Sequence, residues 1–320
     1  MNTQIKLAII AIAIVIPLAS LAITQTNSPS NNSTNENSKL QVVASATFLY
    51  EFSQNIGKEM IDVTLLVPMG ADPHDWEPTI RDTERLQKAD MIIVNGIGYE
   101  HWLNSLELSD IAGILVDTSN GISTLDSANH DEEKHDDHAK EDGHDDEDNH
   151  NHGVLDPHIW LNPVFAQLQV KNIANALSNS DPTNKNYYQS NAAIYNQKLN
   201  LLDTKIRTEL SGCKTDFITF HDAFSYFSEE YGLTQHTIIS STDSHGDVTP
   251  KTLEHIISLA RELNIKVIFA EENTSTKTSQ VIADEIGGKV LVLSPLETVS
   301  NQNYVSKMTQ NLENLKEALC

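Results

Sequence analysis

Short apolar runs alternate with amphipathic stretches along the chain from residue 40 onward. Four runs in the first part are short and mostly apolar, which is typical of strands covered on both faces: 41–46, 62–67, 89–95 and 114–117. Between the first two runs, residues 48–58 carry apolar side chains at helical spacing. Strands that alternate with helices in this way predict a parallel sheet with helices on its faces.

A second alternation of the same kind begins after residue 211. Its apolar runs predict four more strands, at 216–220, 237–240, 265–270 and 290–293. Stretches with helical spacing lie between and after these strands, at 223–231, 249–263, 276–286 and 304–319. The two alternating parts therefore predict two sheets, each with its own set of helices.

Residues 164–179 and 184–211 also have helical spacing, and the second stretch is long and amphipathic. The whole pattern predicts an α/β protein of two lobes, each a mainly parallel sheet flanked by helices, joined by one long rigid helix. The predicted parts are an N-terminal α/β lobe at 40–163, a helical connection at 164–211 and a C-terminal α/β lobe at 212–320.

The N-terminal segment has a different character. Residues 7–24 are uncharged and nearly all apolar, and Lys6 precedes them. This pattern predicts that residues 1–25 are an export signal peptide or an N-terminal membrane anchor. Residues 26–39 are polar and low in complexity, as in a flexible tether. We therefore expect an exported protein, in the periplasm or on the outer face of the cytoplasmic membrane, with anchoring by residues 7–24 left open.

An acidic, histidine-rich segment spans residues 130–152. It contains six histidines, eleven acids and two lysines, and it has no large apolar residue to bury. Such a composition predicts a disordered loop that offers several weak metal sites. A solvated spacer, a docking segment for a partner and a metal buffer are the alternatives. The candidate residues of this auxiliary metal loop are His130, His135, His138, His144, His150 and His152.

The net charge of the 320-residue chain is −24, from 45 acids against 21 bases. This balance argues against nucleic acid as a partner, because affinity for phosphate rests on lysine and arginine. The histidine-rich segment, with its eleven acids and two lysines, supplies −9 of the total and leaves −15 for the rest. The remainder is a moderately acidic protein, which suits the handling of cations.

Only two cysteines are present, Cys213 and Cys320. In an exported protein an even number of cysteines permits a disulfide, with two free thiols as the alternative.

Three histidines occupy positions unlike the rest. His221 directly follows a predicted strand, while His74 and His158 lie in turns bounded by prolines on both sides. In open α/β sheets, ligands bind beyond the carboxyl ends of strands, and neutral imidazole is the commonest metal ligand near neutral pH. These three histidines are therefore candidate metal ligands.

Five segments around these histidines resemble a known family. They are PHDWEPT (73–79), DPHIWLNP (156–163), FHDAFSYFSEEYGL (220–233), IKVIFAEE (265–272) and VLVLSPLE (290–297). In order and spacing they are similar to the solute-binding proteins of zinc and manganese ABC importers, from about residue 42 to the C-terminus. The acidic, histidine-rich insertion before DPHIW is typical of the zinc branch of that family.

The resemblance implies a metal held by His74, His158, His221 and Glu297. Ser294 stands where many relatives have Asp, so water is the alternative to Glu297 as the fourth ligand. Three imidazoles and one carboxylate suit tetrahedral Zn²⁺, whereas Mn²⁺, the alternative cargo, prefers more oxygen ligands.

Four further acids lie beside these positions. Asp75 and Asp222 each follow a candidate ligand by one residue and are candidates for capping a turn or contacting a ligand. Glu271 and Glu272 end the predicted strand 265–270 and are candidate ligands. For Glu271, orienting a ligand or stabilising the interface between the lobes is the favoured interpretation.

The family implies a high-affinity metal-binding component, expected to be monomeric, that delivers Zn²⁺ to a membrane ABC permease with its ATPase. The resemblance implies no enzymatic activity. Two other classes stay open: a metal-regulated surface adhesin, and a zinc hydrolase, which would keep water in the fourth coordination position.

Overall fold

The computed structural model describes residues 39–68, 71, 73, 75–106, 111–125, 155–239, 248–272, 276–298 and 302–320. The predicted export segment, all of the tether except Lys39, His74 and the histidine-rich segment 130–152 lie outside these residues. The described chain belongs to one compact unit, Lys39–Cys320.

Eight strands and eight longer helices alternate along the described residues. The strands are β1 (Leu40–Ala44), β2 (Ile61–Leu65), β3 (Met91–Val94), β4 (Ile114–Asp117), β5 (Asp216–Thr219), β6 (Thr234–Thr237), β7 (Val267–Ala270) and β8 (Lys289–Val292). The helices are α1 (Thr47–Gly57), α2 (Ile80–Lys88), α3 (Pro163–Ser180), α4 (Lys185–Leu210), α5 (Ser225–Tyr231), α6 (Pro250–Glu262), α7 (Lys277–Ile286) and α8 (Tyr304–Leu319).

The strands form two four-stranded parallel sheets of identical topology. The first sheet has the order β2-β1-β3-β4 and the second has the order β6-β5-β7-β8. Register in the first sheet is set by pairs such as Leu40 with Ile61, and in the second by Val267 with Lys289. All four residues of β3 and of β7 are buried, as expected for inner strands with helices on both faces. The predicted α/β class with two parallel sheets is confirmed.

The helices α3 and α4 pack against each other and connect the two sheets. The side chain of Asn162 accepts a hydrogen bond from the Val164 amide, and Pro163 occupies the first position of α3, so the helix begins immediately after the DPHIWLN sequence. The 26 residues of α4 give it a length of about 39 Å at 1.5 Å per residue.

One large hydrophobic core includes buried residues of both sheets. Val42 of the first sheet and Phe269 of the second belong to it, together with Leu199 from α4. Each sheet also has a smaller cluster of its own, around Ile92 in the first and Ile268 in the second. The sheets therefore share apolar packing with the connecting helices on one side and pack against their own helices on the other.

Two elements differ from the sequence prediction. The strand predicted at 237–240 is wrong in position, because β6 is Thr234–Thr237 and pairs Asp216 with Thr234. Its polar residues suit an edge strand, whereas the apolar pair Ile238 and Ile239 that suggested a strand is buried just beyond its end.

The helix α2 was not predicted from the sequence, because Leu86 is its single buried residue and gives no apolar period. Its signal is a capping box at its start, in which Thr79 and Asp82 exchange hydrogen bonds between side chain and backbone.

Cys213 and Cys320 form a disulfide that connects the end of α4 to the last residue of the chain, with 4.7 Å between their Cα atoms. In the part of the chain that the structure describes, no helix is long and apolar enough to cross a membrane.

Candidate metal centre

The topology of both sheets places a crevice beyond the ends of their inner strands. In the first sheet the chain runs from β1 outward to β2 on one side and from β3 outward to β4 on the other, and β5 and β7 do the same in the second sheet. The position between the two inner strands is the switch point, where ligands bind in open α/β sheets. His221 lies two residues after β5, and Glu271 directly follows β7, the neighbouring strand of the same sheet. The sequence of the second sheet therefore brings these two side chains to one switch point.

His158 reaches the same place from the connection between the sheets. It lies directly before the single 3₁₀ turn Ile159–Leu161, which leads into α3. The side-chain amide of Asn95, which follows β3, donates a hydrogen bond of 2.8 Å to the Pro157 carbonyl. This bond fixes the backbone before His158 at the switch point of the first sheet.

Two imidazoles and one carboxylate converge in this crevice. The Nε2 atom of His158 lies 3.4 Å from Nε2 of His221 and 3.4 Å from Oε1 of Glu297. One ligand atom from each of the three residues lies within 4.8 Å of the others. Ligands about 2.0–2.1 Å from a tetrahedral Zn²⁺ are themselves about 3.3–3.4 Å apart. The two measured distances therefore match two edges of a zinc coordination tetrahedron.

Each imidazole is oriented by its own buried carboxylate. Asp156 Oδ1 lies 2.7 Å from Nδ1 of His158 and also accepts its backbone N–H, at 2.9 Å. Glu271 Oε1 makes the same pair of contacts with His221, at 2.6 Å and 3.0 Å. A carboxylate at Nδ1 holds a proton there and directs Nε2 toward the metal position, as in the carboxylate–histidine–zinc arrangements of metalloproteins.

The electrostatic setting of His158 favours its charged form. Burial by itself disfavours the imidazolium, but the charge and hydrogen bond of Asp156, with a smaller contribution from Glu297, raise the pKa of His158 to about 10. The same negative environment that binds this proton would bind a divalent cation in its place.

The structure places the other sequence candidates as follows. Glu271 contacts His221 Nδ1 rather than the convergent atoms, which favours the orienting role over the ligand role. Asp222 accepts a hydrogen bond from Ser225 Oγ at the start of α5, and burial raises its pKa. Asp75 is exposed, and His74 beside it lies outside the described residues.

Asp156 was missed by the sequence reasoning. It lies two residues before His158 and accepts that residue's backbone N–H, the local bond of an Asx turn. The Asp-Pro-His order was a usable signal, because an Asx turn brings the carboxylate beside the following side chain.

Ser294, three residues before Glu297, donates its hydroxyl away from the imidazoles. Its Oγ donates to Glu272 Oε2 at 2.8 Å. Of Glu271, Glu272 and Glu297, only Glu297 belongs to the convergent set within the described residues.

Trp160 forms an apolar wall of the centre. Its ring centroid lies 5.1 Å from that of His158, and it stacks on Phe48 at 4.3 Å. Its Nε1 donates to the Pro295 carbonyl at 2.8 Å, which joins the segment of His158 to the segment of Glu297. Trp160 therefore lines the centre with apolar surface and fixes the segments of His158 and Glu297 relative to each other.

Two parallel sheets that share one buried cluster of imidazoles and a carboxylate define a metal-binding protein of the two-lobed solute-binding class. The family of ZnuA, described as the periplasmic component A of zinc-uptake complexes, matches residues 42–318. The chain belongs to this family, which confirms the resemblance in the sequence motifs.

Individual relatives agree with this assignment. The chain is 41% identical over 290 residues to the high-affinity zinc uptake system protein ZnuA of Bacillus subtilis, covering 88% of each chain. It is similar to the crystal structure of the metal-dependent lipoprotein YcdH from Bacillus subtilis, with 37% identity, a TM-score of 0.72, and coverage of 88% of this chain and 99% of that one. It also resembles the laminin-binding protein Lmb of Streptococcus agalactiae, described as an adhesin with metal-transporting activity, with 26% identity, a TM-score of 0.74, and coverage of 88% and 99%.

Proposed function

We propose that this protein binds Zn²⁺ with high affinity outside the cytoplasm and delivers it to an ABC permease for uptake. The observation that carries the proposal is the buried convergence of His158, His221 and Glu297 at tetrahedral spacing. Membership of the zinc-uptake family and the 41% identity to a high-affinity zinc uptake protein support the same function.

His74 is proposed as the remaining protein ligand. The family motif carries it, and the segment around it follows β2, whose neighbour β1 lies at the switch point of the first sheet. With three imidazoles and Glu297 the shell is closed, which suits binding and release. A zinc hydrolase instead needs an open position for an activated water, so we propose no enzymatic activity.

Zinc rather than manganese fits the donor set. The two imidazoles within the described residues, with His74 added, give three nitrogens and one carboxylate, whereas Mn²⁺ favours oxygen ligands and a higher coordination number. Manganese is the alternative cargo, and a competition experiment separates the two ions.

The proposed partners are the membrane permease and its ATPase, met by a monomeric protein at the outer face of the cytoplasmic membrane or in the periplasm. The family description as periplasmic supports this location. Residues 1–25, proposed as signal peptide or anchor, and the tether account for export and attachment.

The test is a competition titration of the purified protein with Zn²⁺ and Mn²⁺ against a chelating dye. We expect zinc to bind far more tightly than manganese, and His158→Ala to weaken zinc by at least about a hundredfold, because it removes a ligand from a buried shell.

His236→Ala is the matched control, because His236 is also paired with a carboxylate, Asp216 at 3.0 Å, but lies on the edge strand β6. An unchanged zinc affinity in His158→Ala would refute the assigned site.

A second candidate function is metal-regulated adhesion, favoured by the similarity to Lmb. Adhesion predicts saturable binding of the purified protein to immobilised laminin that depends on bound zinc. Equal retention on laminin and on an albumin-coated surface would exclude it.

A further inference from the structure

The segment that carries Glu297 contains a residue in an unfavourable backbone conformation. Leu296 has φ of 62°, in the left-handed region that side chains with a Cβ rarely adopt, and it is buried. Such a conformation persists only where the surrounding contacts determine it, and it is often found at functional sites.

Glu272 binds the segment on both sides of Glu297. Its Oε2 accepts hydrogen bonds from Ser294 Oγ at 2.8 Å and from Thr298 Oγ1 at 3.3 Å. Ser294 Oγ in turn accepts the backbone N–H of Leu296 at 3.2 Å. One carboxylate oxygen therefore fixes the residues before and after the candidate ligand, including the strained one.

A buried lysine holds Glu272 in place. Lys307, on the first turns of α8, donates to Glu272 Oε2 at 2.5 Å, and its side chain is only 5% exposed. The lysine balances a carboxylate that would otherwise add negative charge near Glu271 and Glu297. Removal of one partner of a buried ion pair leaves the other charge buried and uncompensated, which is strongly destabilising. Lys307 and Glu272 therefore stabilise each other.

The two consecutive acids after β7 serve different ligands. Glu271 contacts the ring of His221, and Glu272 contacts the segment of Glu297. The chain turns at Glu272, so the two carboxylates reach different segments. The end of β7 thus connects two of the three convergent side chains.

We propose that Glu272 and Lys307 are positioning residues, which set the zinc affinity of the centre by holding the carboxylate of Glu297 at the metal position. The inference rests on the proposed function, since it concerns the same zinc site. Neither residue touches the metal; both act through the backbone of residues 294–298.

The test compares zinc affinities by competition with a chelating dye in Glu272→Gln and in Glu272→Gln/Lys307→Met. We expect each variant to lose about tenfold in affinity, the scale on which residues that support ligands act. The double variant removes both charges together, so it leaves no buried lysine without a partner. A cavity of about 380 Å³ borders Glu272 and Lys307 and gives the new side chains room.

The matched control is Lys316→Met, because Lys316 is also on α8 and paired with acids, Glu209 at 2.7 Å and Glu313 at 3.4 Å. Lys316→Met should leave the zinc affinity within about twofold of that of the unmodified protein, which is ordinary experimental scatter. Melting of the metal-free variants measures any general destabilisation separately.

A double-mutant cycle with Glu297→Gln distinguishes positioning from a general structural effect. If Glu272 acts through Glu297, its substitution should cost almost nothing further once the Glu297 carboxylate is gone. Substitution of Glu271 by Gln should still weaken zinc in that background, because Glu271 acts through His221. A full tenfold loss from Glu272→Gln in the Glu297→Gln background would overturn the proposal.

The Co²⁺-loaded protein gives a spectroscopic readout that stability does not affect. A four-coordinate Co²⁺ centre absorbs visible light more strongly than a five- or six-coordinate one, so the bands weaken when more than one water takes the place of the carboxylate. Glu272→Gln should weaken them as Glu297→Gln does, while Lys316→Met should not. If His158→Ala weakens zinc but Glu272→Gln changes neither affinity nor spectrum, this inference fails and the proposed function stands. If His158→Ala has no effect, the zinc site itself is wrong.

Discussion

At the scale of single residues, the centre depends on which ring nitrogen of each histidine faces the convergent position. Asp156 and Glu271 engage Nδ1 of His158 and His221, so both Nε2 atoms face the convergent position. Both rings are completely buried, and two contacts from one carboxylate oxygen hold each of them. Such prior orientation lowers the cost of arranging ligands when the ion arrives.

Zinc binding should release a proton from His158. Because the pKa of His158 is raised to about 10, its ring carries a proton at Nε2 below that pH, and zinc must displace it. At pH 8 we expect about one proton released per zinc, and an apparent affinity that rises with pH until about pH 10. Calorimetry in two buffers of different ionisation enthalpy measures the number of protons released per zinc.

Asp156→Asn provides the control for this prediction. It removes the main charge that raises the pKa of His158, so fewer protons should be released at pH 8. A binding enthalpy that does not vary between buffers for the unmodified protein would contradict the assigned protonation.

At the scale of elements, the ends of α4 and α8 are joined covalently and by ion pairs. The disulfide of Cys213 and Cys320 closes a loop of 107 residues, and Lys316 of α8 contacts Glu209 of α4 at 2.7 Å. These contacts lie at the far end of α8 from Lys307, so the helix is tied to the second sheet's ligand segment at its start and to α4 at its end.

Removal of the disulfide should lower stability without weakening zinc. In the chain-entropy description, a loop of this length contributes on the order of 4–5 kcal/mol, which Cys213→Ser with Cys320→Ser should remove. Denaturant unfolding of the metal-free protein measures the loss, and dye competition measures zinc affinity. Intact mass should rise by about 2 Da on reduction; an unchanged mass would show that the thiols are free.

At the scale of the whole molecule, both sheets share one core and several hydrogen bonds across the centre. Trp160 Nε1 binds the Pro295 carbonyl, Tyr304 Oη donates to the Trp160 carbonyl, and Thr47 Oγ1 donates to the Leu296 carbonyl. Wide separation of the sheets would expose this apolar core and break these bonds. We therefore expect small displacements of the ligand segments, rather than wide opening, when the ion leaves.

Deletion of residues 130–152 should preserve the tight zinc site. The three convergent side chains lie outside that segment, whose composition predicts only weak metal sites. Calorimetry of the deletion variant should show one tight zinc ion and fewer weak ones than the full chain. Loss of the tight ion would place the main ligands within the deleted segment and contradict the assigned centre.

Much of the fold could be predicted from the sequence because its signals are local. The apolar runs of β3 and β7 and the long amphipathic pattern of α4 each indicate one type of element. The polar edge strand β6 and the polar helix α2 could not be placed in this way, because neither carries an apolar period. Pairing with β5 and a capping box define them instead.

For the candidate site, the sequence by itself determined which histidines are candidate ligands, since His158 lies in a proline-bounded turn and His221 follows a strand end. Only the tertiary structure decided that their Nε2 atoms, from residues 63 positions apart, lie 3.4 Å from each other. It also decided that Asp156 contacts the ring of His158, that Glu271 contacts the ring of His221, and that Glu272 contacts the segment of Glu297. These pairings arise where two sheets and their connecting turns meet, and contacts between distant segments are not encoded in the local pattern of any one of them.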